Sequence, residues 1–218
     1  MSLTGLLNTV RGGRPTTSRR PVPPAGSPNP QRPADTGRGL AWVLALWAFA
    51  YACYRAYYAA GGSVGMIGEP LSDEDFRAIN AVGAAIILVA AVLPPIAVRV
   101  PALRRALPVL GWLTAVGCCM HALVNGTLRV LSLTGVHPTV LPEDVWRSYD
   151  RQVADLQDLL LNEPWFLVEG LLWAALGLMF VTARRRRAWI LYAVAACLTL
   201  TVIGVLSGLG VIGSFRVG

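Results

Sequence analysis

Five apolar runs, each long enough to cross a bilayer, alternate along this chain with shorter polar segments. They cover about residues 40–60, 76–98, 106–132, 164–183 and 188–214. Each meets or exceeds the ~20 residues that a helix needs to cross the hydrocarbon core. Lipid leaves no free backbone group satisfied, so runs of this length have to be helices. The pattern predicts an all-α, polytopic membrane helix bundle of about five transmembrane helices, occupying residues 39–218.

The segments between the runs are of two kinds. Residues 1–38 are rich in Pro, Gly, Ser, Thr and Arg and predict a disordered tail, because proline removes backbone donors and fixes φ. Ser18-Arg19-Arg20 resembles the core of a twin-arginine export signal, but Pro21 and Pro23 follow it and the first apolar run starts some twenty residues later, so that reading fails. The longest connection precedes the fourth span. Within it, Pro142 to Leu161 has Val145, Tyr149, Val153, Leu156 and Leu160 at three- and four-residue steps. That spacing predicts an amphipathic helix lying across one mouth of the bundle.

Charge turns this pattern into a topology. The net charge of +7 rests on arginine alone. Thirteen arginines fall in residues 1–38 and in the second and fourth connections (Arg99, Arg104, Arg105 and Arg184 to Arg187), whereas Arg77, Arg147, Arg151 and Arg216 lie on the other side. Positive-inside bias therefore predicts N-in/C-out, with an Arg/Pro-rich cytoplasmic tail and the amphipathic helix in the second extracytoplasmic loop. Ten of the twelve acidic residues fall on the arginine-poor side. Arginines that flank spans suit anionic lipid headgroups and exclude nucleic acid as the partner. Charged residues make up 14% of the chain and the mean hydropathy is +0.54, well away from the about 25% charge of soluble domains. These features predict a multi-pass protein of the plasma membrane.

Candidate chemistry lies in the polar residues that interrupt the spans, since an ionisable group in hydrocarbon is costly. They are Arg55, His121, Arg129 and Glu169, with Asn125 and Asn80 as uncharged additions. His121, Asn125 and Arg129 recur every four residues and so share one face of the third span. Trp165, Glu169 and Trp173 form a comparable stripe on the fourth, and Tyr51, Arg55 and Tyr58 nearly do so on the first. If these faces meet, Arg55, His121, Asn125, Arg129 and Glu169 make a polar pocket in the outer half of the bilayer. Glu169 would then pair with Arg129 or Arg55, above a His121 floor. Two histidines, and four cysteines that all fall inside apolar runs, point to no metal and no cofactor. No metalloprotease, serine-hydrolase or phosphate-loop motif is present. Gly204 and Gly208 form a G-x-x-x-G that suits close helix packing.

The end of the first span reads Tyr54-Arg55-Ala56-Tyr57-Tyr58-Ala59-Ala60-Gly61-Gly62-Ser63-Val64-Gly65-Met66. It resembles a segment of small actinobacterial multi-pass membrane proteins of unknown function, the DUF3995-like group, in which an aromatic-rich helix end leads into Gly-Gly and then a further Gly. The resemblance implies a bacterial inner-membrane protein and carries no activity, cofactor or site residue with it. Gly61-Gly62 would let the chain turn sharply over the pocket mouth.

Function therefore rests on the pocket. The reading favoured by the sequence is a non-catalytic binding or accessory component, alone, as a homo-oligomer or with a membrane protein partner. The alternatives are a membrane-embedded enzyme acting on a lipid or isoprenoid from the extracytoplasmic face, or a small oligomeric transporter. The topology has a direct test. A phosphatase reporter that folds only outside the cytoplasm should be active when inserted after residue 66 or 140 and inactive after residue 102 or 182; the reverse pattern would invert the assigned orientation.

Overall fold

The computed structural model describes residues 32–141 and 143–212. The greater part of the predicted disordered tail, Pro142 and the end of the fifth run lie outside them. Helix α1 (Arg32–Ala59) starts inside the predicted tail, so the last residues of that segment are helical. A loop and a short strand β1 (Gly68–Pro70) lead to α2 (Asp73–Ala97). A four-residue helix α3 (Pro101–Arg104) precedes α4 (Leu107–Leu133). Strand β2 (Trp146–Tyr149) is followed by α5 (Arg151–Gln157), a π-helical turn (Asp158–Asn162), α6 (Glu163–Met179) and α7 (Ala183–Gly208). Among the described residues, five helical segments are long and apolar enough to cross a membrane: Gly37–Ala59, Asp73–Ala97, Leu107–Leu133, Arg151–Met179 and Ala183–Gly208.

Local chemistry explains the boundaries. Ser72 caps α2 by accepting the Asp75 backbone N–H at 3.2 Å, and Asp73, Glu74 and Asp75 occupy its first turn, where carboxylates complement the helix dipole. Helix α2 runs through Pro94 and Pro95 and ends two residues later. The arginine run Arg184 to Arg187, expected in a loop, forms the first turn of α7. A span can continue into the headgroup layer, where arginine is at home.

The predicted amphipathic helix over residues 142–161 is not a separate element. Its first part is strand β2, paired antiparallel with β1, with Gly68 opposite Tyr149 and Pro70 opposite Trp146. The bundle thus carries a two-stranded ribbon as well as helices. The second part is helical, but it runs directly into the fourth span. Pro164 lacks a backbone N–H, and its ring would clash with the carbonyl four residues back in a regular helix. The chain answers with the wider π-helical turn just before it, where the Glu163 N–H reaches the Asp158 carbonyl.

The helices pack in the order α2, α1, α6, α4, α7. At the end away from the ribbon, Ala41, Leu44, Ala97, Leu107, Trp173 and Leu176 form a close apolar core. Helices α4 and α6 approach through glycines there: a Cβ on Gly111 would lie 2.8 Å from the Gly177 Cα. The G-x-x-x-G of α7 seats Val124 and Leu128 of α4, where added Cβ atoms would meet side chains at 2.7 and 2.6 Å. No residue of α7 is buried, the lowest burial of the five candidate spans.

Candidate functional site

The ribbon end of the bundle is built differently. Helices α1 and α6 pack together there, with α2 on the α1 side and α4 on the α6 side. Between α2 and α4 runs a cleft of about 460 Å³, lined by Tyr51 and Arg55 of α1, Ile86 and Ile87 of α2, the His121–Asn125–Arg129 stripe of α4, and Asp158, Glu163 and Phe166. Four of the five predicted pocket residues therefore share one cavity. The four-residue spacing on α4 does what the sequence suggested: Asn125 lies 3.0 Å from the His121 Nε2.

Glu169 is the exception. It is buried on α6 beside Cys118 and Trp173 and does not line the cleft. Its expected pairing with Arg129 or Arg55 is not made. Six residues separate it from Glu163, roughly 9 Å along the helix axis. In between, the Phe166 ring meets the His121 ring edge-on at 4.6 Å and closes the cleft floor.

Arg129 pairs instead with acids that precede the fourth apolar run. Its Nη2 lies 2.8 Å from the Asp158 Oδ2, and its Nη1 3.5 Å from the Asp155 Oδ1. Nη1 also donates to the Thr139 hydroxyl at 2.9 Å. Asp155 is fully buried and accepts from the Ser132 hydroxyl, whose oxygen in turn accepts the Thr139 backbone N–H at 2.8 Å. Asp158 also accepts from the Asn162 Nδ2 at 2.6 Å. One arginine thus ties α4 to α5, to the π-helical turn and to the loop after α4.

Arg55 is in the opposite state. Its guanidinium lies against Gly83, where a Cβ would come within 3.3 Å of Nε, and among the described residues no acid stands within ion-pair distance of it. The Glu163 Oε2 is likewise buried without a hydrogen-bond partner and stands 3.8 Å from the His121 Nε2.

A second cavity of about 210 Å³ lies under the ribbon and shares Arg55, Asp158 and Asn162 with the cleft. Tyr54, Tyr58, Phe76 and Trp146 give it aromatic walls. The glycine-rich loop closes over it: Gly61 and Gly65 have positive φ (92° and 80°), and the Gly65 carbonyl accepts from the Gln157 Nε2 at 3.1 Å. The turn expected at Gly61-Gly62 is in place, but its loop borders this second cavity through Gly65 and not the cleft that holds the predicted pocket residues. Next to the cleft the half-buried Trp47 and Trp165 stack at 4.1 Å.

Asp155, Asp158, Asn162 and Glu163 escape the sequence reading because the fourth apolar run begins at Pro164, which leaves them in the preceding connection and its amphipathic segment. Their three- and four-residue spacing, continuing to Phe166, was the available sign that the helix ran on.

Comparison with known protein families, characterised proteins and solved structures finds no match to this chain.

The two arginines should respond differently to substitution. Arg129→Met strands the buried Asp155 and should cost about 3–5 kcal/mol of stability, the range for breaking a buried ion pair. Arg55→Leu removes no ion pair and should stay within about 1 kcal/mol. Thermal unfolding in a fixed detergent checks both; equal losses would contradict the division of roles.

Proposed function

We propose that this chain is a plasma-membrane protein, N-in/C-out, that binds an amphiphile entering from the bilayer into the cleft between α2 and α4. The polar part of the ligand lies against Arg55, His121 and Asn125, and its chain runs along the apolar flank that begins at Ile86 and Ile87. The observation that carries this reading is the state of Arg55: a cation on a membrane helix, lining a cavity, with no ion pair among the described residues. Such a charge is expensive in lipid unless something completes it. Its neighbour Arg129 is completed by the protein, and Arg55 is left for a ligand. The cytoplasmic arginines Arg99, Arg104 and Arg184 to Arg187 meet anionic headgroups on the other leaflet and hold the orientation.

The binding role is non-catalytic. A second reading, a membrane-embedded enzyme acting on the bound amphiphile, draws on one observation, the His121–Glu163 pair with its unpartnered carboxylate oxygen. A base beside a carboxylate is the arrangement of general acid–base catalysis.

Native mass spectrometry of gently purified protein separates these outcomes. Wild type and Glu169→Gln should both carry a lipid-sized adduct, and Arg55→Leu should lose it at least about tenfold, as expected for loss of a charge-assisted contact. Equal adducts in all three forms, or none in the wild type, would overturn the proposal. Chemical conversion of the adduct that stops in Glu163→Gln would replace the binding reading with the enzymatic one.

A further inference from the structure

The cavity under the ribbon has a more specific composition than the cleft it joins. Asn80 of α2 is 2% exposed and lines it. Its Nδ2 donates to the Phe76 carbonyl at 2.8 Å, which leaves Oδ1 as a buried acceptor with no partner. An unmet acceptor in a low-dielectric site costs free energy and favours a ligand that brings an N–H or O–H.

Its surroundings narrow that donor to a cation. Tyr54 and Tyr58 meet edge-to-face at 5.1 Å, Tyr58 and Phe76 at 6.0 Å, and Phe76 and Trp146 at 5.5 Å, a continuous aromatic wall. All four rings line the cavity, as does Asp158, whose carboxylate is held by Arg129 and Asn162. Aromatic rings attract ammonium groups through the negative faces of their π systems.

The other charge is Arg55, which lines both cavities and rests against Gly83. Gly83 and Asn80 are three residues apart on α2, so they share a face and differ by roughly 4.5 Å along the axis. An anion at Arg55 and an ammonium at Asn80 would thus be separated by about one helical turn, which suits a phosphate and an amine joined by two carbons. The small upper cavity has room for such a headgroup but not for acyl chains, and the cleft that meets it at Arg55, Asp158 and Asn162 continues down the membrane spans.

Resting on the amphiphile-binding reading above, we infer that the ligand is a phosphatidylethanolamine-type lipid. Its phosphate sits on the Arg55 guanidinium, its ammonium donates to the Asn80 Oδ1 inside the aromatic wall, and its chains lie in the α2/α4 cleft. The site selects a primary amine over a quaternary one, because a trimethylated nitrogen has no hydrogen to give Asn80. It disfavours glycerol-phosphate headgroups, which bring no cation to the aromatic wall.

The test uses the full-length chain in nanodiscs of equimolar phosphatidylethanolamine, phosphatidylcholine and phosphatidylglycerol, followed by native mass spectrometry of the released protein. Retained lipid should be enriched about fivefold or more in phosphatidylethanolamine, corresponding to about one net hydrogen bond. Asn80→Leu should erase that preference while still retaining lipid, and Asn80→Asp, which keeps an acceptor, should preserve it. Equal retention of the three lipids by wild type would overturn the headgroup assignment and leave amphiphile binding intact, as would preference for phosphatidylglycerol or phosphatidylcholine. Retention of no lipid would overturn both. Soluble O-phosphoethanolamine that displaces the lipid at equal concentration would overturn the lipid as the source of the headgroup.

Discussion

A guanidinium held near the end of a membrane helix has to be neutralised, and the way Arg129 is neutralised organises the whole ribbon end of this bundle. Its partners are the buried carboxylate of Asp155 and the half-buried one of Asp158, both on the segment that enters the fourth span. Ser132 and Thr139 complete the shell from the helix end and loop on the other side. In a medium of low dielectric these bonds are strong, and removing one member leaves a charge that nothing else can reach. The network therefore fixes where α5 stands, how the loop after α4 leaves the bundle, and where β2 can meet β1.

Two differently built ends follow from this constraint. Away from the ribbon, glycines at Gly111 and Gly177 let α4 and α6 come into backbone contact, and Leu44, Leu107, Trp173 and Leu176 fill the space. At the ribbon end the helices carry polar groups that need partners, and the packing leaves a cleft and a chamber between them. The π-helical turn before Pro164 lies within the polar end, and its Asp158 and Asn162 line both cavities. A closed apolar half gives the bundle rigidity, while the polar half retains Arg55, Asn80 and Glu163 with bonding capacity unspent.

Much of this was legible in the sequence, for physical reasons that can be named. A twenty-residue apolar run in lipid has one backbone solution, so the spans were readable within a few residues at most boundaries. The His121–Asn125–Arg129 stripe was readable because helical periodicity fixes which residues share a face. The failures share a different cause. Glu169 was assigned to the pocket on burial cost and on its stripe with Trp165 and Trp173, and neither fixes the rotation of the helix against its neighbours; Phe166 and His121 wall it off. Residues 142–161 have a helical apolar period, yet pairing with Gly68–Pro70 turned Trp146–Tyr149 into a strand, a tertiary contact that no local pattern encodes. Proline at position 164 read as a helix start, because a π-helical turn that lets a helix pass through proline has no compositional mark.

The account stands on the coupling between Arg129 and Asp155, and a double-mutant cycle on unfolding free energy measures it most directly. With Arg129→Met, Asp155→Leu and the double variant, the cycle should return a coupling of about 2 kcal/mol or more, the double variant being more stable than additive losses allow. Additivity within about 0.5 kcal/mol would show that the two residues act independently and would remove the constraint from which the rest of the ribbon end has been derived.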